Sequence, residues 1–149
     1  MMNTLLFKVK HYLAEENRFG YRVWPELPSN ILTTAQFLSD NGVLSDVRDD
    51  ASYQDEFFDN YDIVAVWASI ADGLYESLDY LRVAKARGCT TVLVLFDDWE
   101  GMQHEILTDY DFVDYGIRRW DVETSLFMLI TRLSDGKTPQ HKGLVVRSD

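Results

Sequence analysis

Cysteine is nearly missing from this chain: Cys89 is the single one in 149 residues. One thiol cannot close an internal disulfide, build a cysteine-rich zinc site or hold a three-cysteine iron–sulfur cluster. Long apolar runs are missing too, since none approaches the ~18–20 residues a membrane helix needs. The start, Met1-Met2-Asn3-Thr4-Leu5-Leu6-Phe7-Lys8, has no basic stretch followed by a long apolar core, so no signal peptide is expected. These absences lead us to expect a cytoplasmic protein without a membrane partner. Positive charge is scarce: 14 Lys and Arg stand against 25 Asp and Glu, a formal charge of −11. Nucleic acid is therefore not an expected partner, because binding it needs a surplus of cationic contacts to phosphate. Repeats and low-complexity segments are absent. What remains is ordinary globular composition, 46% hydrophobic and 26% charged, in a chain long enough for one buried core.

The pattern alternates strands with helices. Leu5 to Lys10 reads as a first strand, followed by a long connection, His11 to Ser29. Ile31, Leu32, Ala35 and Leu38 recur at helical spacing, Ser29 or Asn30 can cap that helix, and Gly42 stops it. Val43 to Val47 reads as a short strand. Ile63 to Ala68 is a continuous apolar run, as in a strand covered on both faces. Asp72 or Gly73 opens a helix carrying Leu74, Leu78, Leu81 and Ala84 on one face, which Gly88 closes. Thr91 to Phe96 is a second buried strand, Trp99 to Leu107 a short helix and Phe112 to Tyr115 a weaker strand. Asp121 can cap a last helix whose Val122, Leu126, Leu129, Ile130 and Leu133 face inward. The expectation is a doubly wound, three-layer α/β/α domain of Rossmann-like or flavodoxin-like type with a mainly parallel five-stranded sheet. The domain is expected over residues 1–136, with residues 137–149 as a tail or linker; Gly143 to Arg147 is either an edge strand or part of that tail.

In such sheets ligands sit beyond the carboxyl ends of the strands. Trp24, Trp67, Trp99 and Trp120 all fall at or near that edge, with Tyr21, Tyr75 and Tyr115 near them in sequence. Either these rings plug the top of the sheet, or they form an aromatic pocket or docking patch. Asp97, Asp98, Glu100 and His104 are the one cluster with metal-like chemistry, although Asp97 and Asp98 also suit helix capping. Arg118 and Arg119 precede the last helix and could receive an anion there. Ser69 follows a buried strand and either donates to a ligand or caps the next turn. Cys89 reads as a small core residue. Phosphate-binding glycine motifs are absent, and no Ser/His/Asp or Cys/His spacing suggests a nucleophile. His141 falls in what reads as a polar tail.

The order of segments resembles the cobalamin-binding domain that precedes the barrel in cobalamin-dependent radical S-adenosylmethionine enzymes. Pro28 followed by Ile31-Leu32-Thr33-Thr34-Ala35-Gln36-Phe37-Leu38 resembles the family's proline-led first helix. Tyr61-Asp62-Ile63-Val64-Ala65-Val66-Trp67-Ala68-Ser69 resembles its Asp-to-Ser strand. Asp111-Phe112-Val113-Asp114-Tyr115-Gly116 resembles the strand leading to its Gly-Glu-Gly-Glu turn, and Glu123 its later acid. Gly143-Leu144-Val145-Val146-Arg147 resembles the short segment before the barrel. The resemblance implies cobalamin held at Ser69, Ile70, Asp97, Asp98, Trp99, Gly116, Trp67 and Trp24. It also implies a radical S-adenosylmethionine barrel as partner, in cis or in trans.

The departures from the family sit at the implied site. The family's Gly-Gly pair after the fourth strand, which lets the cofactor's tail approach the backbone, is replaced by Phe96-Asp97-Asp98. The Gly-Glu-Gly-Glu turn has become Gly116-Ile117-Arg118-Arg119. No histidine matches the lower-ligand motif of the other cobalamin domain type, and one cysteine leaves no place for the cluster that cleaves S-adenosylmethionine. Two readings follow. One is a cofactor-binding accessory domain, non-catalytic by itself. The other is a cofactor-free protein-interaction module with an acidic, aromatic docking face on the same fold.

Overall fold

A computed structural model describes residues 2–9, 29–51, 53–69, 73–95, 102–118 and 121–147. Six strands form one sheet: β1 (Thr4–Lys8), β2 (Ser45–Asp49), β3 (Ile63–Ala68), β4 (Thr90–Leu95), β5 (Tyr115–Ile117) and β6 (Leu144–Val146). Among the described residues four α-helices accompany them: α1 (Ser29–Asp40), α2 (Leu74–Ala86), α3 (Met102–Asp109) and α4 (Val122–Ser134). The strand order is β2-β1-β3-β4-β5-β6. All pairs are parallel except β5 with β6, which is antiparallel. This is a flavodoxin-like, doubly wound α/β fold, with the chain reversing direction across the sheet after β2.

The alternation of side chains across the sheet builds two cores. Leu5, Phe7, Val64, Val66, Leu93 and Leu95 face Leu78, Leu81 and Ala84 of α2 and Ile106 and Leu107 of α3. Leu6, Ile63, Ala65, Trp67, Val92 and Val94 face Ile31 and Leu38 of α1 and Leu126, Leu129 and Ile130 of α4. All six residues of β3 are buried, as its unbroken apolar run requires. On the α2 side Phe7 makes edge-on contacts with Phe57, Phe58 and Tyr80 at 5.1–5.9 Å between centroids. On the α1 side Phe37 meets Phe127 edge-on at 6.2 Å, joining α1 to α4. No helix among the described residues is long and apolar enough to cross a membrane.

Three expectations need correction. The sheet has six strands rather than five, because Leu144–Val146 pairs with β5 and buries Leu144 and Val145. Residues 144–146 therefore belong to the domain's own sheet, not to a tail. Arg147 follows, and its Nη2 donates to the carbonyls of Tyr110, Asp111 and Val113 in the turn before β5. Secondly, β2 starts at Ser45, not Val43. Val43 N–H still bonds to Leu38 O at 2.8 Å as the helix ends. Thirdly, the strand expected at 112–115 starts at Tyr115. Phe112 and Val113 lie in a turn tied to β4, where Thr91 Oγ1 donates to Phe112 O and Thr91 N–H to Asp114 Oδ2 at 3.0 Å.

Candidate functional site

Strand order places the candidate site. β1 lies between β2 and β3, and α1, which follows β1, packs on the opposite face of the sheet from α2, which follows β3; in sheets of this order ligands sit beyond the carboxyl ends of those two strands. The row at that edge runs Asp49, Lys8, Trp67 and Val94, partners in register across β2, β1, β3 and β4. Lys8 is half-buried and engaged in an interaction of its own.

Trp67 is 0% exposed and belongs to the core between the sheet and α1 and α4. Its indole N–H has no hydrogen-bond partner among the described residues, yet it is shielded from solvent. The ring itself lies inside the core, under α1 and α4. Ser69 is half-buried and engaged, and forms an isolated bridge to Gly73 at the start of α2. Gly73 sits at φ +75°, a conformation that suits glycine, and caps α2 without a side chain. Its carbonyl accepts from Ser77 N–H at 2.9 Å and Ser77 Oγ at 2.6 Å. The start of α2 is thus secured by a buried serine.

Gly116 lies in the middle of β5, and its open side is filled from within. A Cβ there would stand 2.8 Å from Gln103 Oε1 and 3.3 Å from Val145 Cβ. Gln103 is buried, and its Nε2 donates to Ile117 O at 2.7 Å. The amide lies against the strand because position 116 has no side chain. The sequence reading missed Gln103; its spacing to Ile106 and Leu107 is the signal that would have placed it inward. Trp24, Ile70, Asp97, Asp98 and Trp99 lie outside the described residues, as do Glu100, Arg119, Trp120 and Tyr21. His104 is exposed on α3, and Arg118 is exposed after β5. Tyr115 begins β5 and so lies toward the amino end of the sheet, away from this edge.

The sequence also gave no warning of a contact between α4 and the segment before β6. Ser125 Oγ lies 3.1 Å from His141 Nδ1, and His141 Nε2 lies 3.8 Å from Asp121 Oδ2. The residue types are those of a catalytic triad, but the geometry is structural. Ser125 is 0% exposed, and His141 Nδ1 already accepts from Gly143 N–H at 3.1 Å. The lone pair that a general base would use is thus shared with a backbone N–H. The contact anchors β6 to α4. Asp121, at its far end, caps α4 at φ +84°, a left-handed conformation that costs a non-glycine residue energy.

Cys89 is buried just before β4, and its thiol donates to the carbonyls of Tyr61 at 3.2 Å and Phe58 at 3.4 Å. Burial pushes the thiol up to about 11, with Asp62 and Asp59 adding to the shift. Thiolate is the reactive form, so native Cys89 is expected to resist a maleimide at pH 8 and to react once the chain is unfolded. Equal labelling rates with and without denaturant would contradict this burial.

No family model matches the chain, and no curated protein matches it. Among solved structures it is similar to a protein of Burkholderia pseudomallei K96243 described as pilus assembly-related. The two share 15% identity and a TM-score of 0.56, over 94% of this chain and 95% of that one. It is also similar to a flavodoxin of Streptococcus pneumoniae TIGR4, with 17% identity, a TM-score of 0.41 and coverage of 72% and 71%. The first of these likenesses concerns the fold alone.

Proposed function

We propose that this chain is an accessory domain, non-catalytic by itself, that works through the carboxyl edge of its sheet as a docking face for another protein. The observation that carries this reading is a contrast at that edge. Trp67 and Gly116, both implied as cofactor contacts by the resemblance, are closed by the protein's own packing. Leu32 in the first turn of α1 and Tyr75 in the first turn of α2 are 52% and 75% exposed on the two sides of the sheet. Exposed apolar and aromatic side chains flanking one edge suit a protein contact. The double variant Leu32→Ser/Tyr75→Ser tests this: it should keep the fold and lose partners that the wild-type chain retains in a pull-down. Retention of the same partners by the variant would place the contact elsewhere.

The second reading is a cobalamin-binding domain on the same fold, supported by the ordered sequence resemblance and by the switch in strand order between β1 and β3, beside which ligands of such sheets sit. The described residues do not fit the cofactor well: the indole N–H of Trp67 is shielded and Gly116 offers no cradle. The discriminating experiment is to mix the protein with hydroxocobalamin, desalt it and record the visible spectrum. A colourless protein at high micromolar concentration is the expected result. Retained cofactor with a base-off spectrum would reverse the order of the two readings and call for a radical S-adenosylmethionine barrel as partner.

A further inference from the structure

We draw no further inference here: the strongest candidate, the polar groove of about 350 Å³ at the amino ends of β1 and β2 lined by Asn3, Thr4, Ser45, Asp46, Arg48 and Tyr61, carries none, because its two unpartnered hydroxyls, Thr4 Oγ1 and Ser45 Oγ, are shielded from solvent and Asp46 already accepts from Tyr61 Oη at 2.7 Å, so nothing in the structure shows what covers it.

Discussion

Replacing Gly143 by alanine is expected to destabilise the domain by roughly 1–3 kcal/mol, the usual range for overpacking a filled site. For a domain of this size that is a fall in Tm of about 3–10 °C. The added methyl would collide with Ser125 Oγ and stand 3.2 Å from both Ser125 Cβ and His141 Nδ1. Ser125 is fixed on α4 and completely buried, so it cannot swing away into solvent. Turning its hydroxyl aside would also break the contact with His141. The collision assigns a coupling that can be measured. Ser125→Ala removes the hydroxyl that the new methyl meets, so the double variant should lose less than the sum of the two single variants. Thermal unfolding of all four proteins provides the cycle. Strict additivity would show that Gly143 is needed for some reason other than its approach to Ser125.

The sequence showed most of the scaffold and little of what secures it. β3 and β4 were legible because a strand buried on both faces is apolar along its length, as Ile63–Ala68 is throughout and β4 is from Val92 to Leu95. The close of α2 was legible in Gly88, which sits at φ +89°. The outer and shorter strands gave weaker signals. In β2 only Val47 is apolar, because an outer strand with one covered face alternates and carries charge. β5 is three residues long with glycine at its centre, so the neighbouring Phe112 and Val113 outweighed it in the pattern. β6 read equally well as a tail, because three apolar residues do not say what they pair with.

The site was less legible than the fold, for a reason that lies in single residues. A tryptophan at the end of an apolar strand looks the same in sequence whether it plugs the core or faces a ligand; only the packing of α1 and α4 over Trp67 separates the two. The resemblance implies Gly116 as a cofactor contact, but the group that lies against it is Gln103, thirteen residues earlier on another element. The link from His141 to Ser125 spans sixteen residues and two elements. Periodicity reports which face of an element is buried, and it is silent on which distant polar group will lie against it.

A chain ending at Gly136 is expected to unfold well below the full-length protein or to aggregate, which separates a structural β6 from a linker more sharply than any single substitution. Such a chain loses Leu144 and Val145, which are 8% and 2% exposed. Burying two aliphatic side chains is worth about 3–6 kcal/mol in total, against a whole-domain stability of roughly 5–15 kcal/mol. The truncation also removes the β5–β6 ladder and leaves Tyr115–Ile117 as an open edge, free to pair with other chains. With Arg147 gone, the carbonyls of Tyr110, Asp111 and Val113 lose a shared cationic donor. Arg147→Met isolates this last loss while keeping β6 in place. It should cost about 0.5–2 kcal/mol, the net worth of hydrogen bonds to a charged donor that are partly open to water, and give a folded protein with a lower Tm. A truncated chain that melts with an unchanged midpoint would mean that residues 137–149 only accompany the fold, and would restore the reading of this segment as a linker.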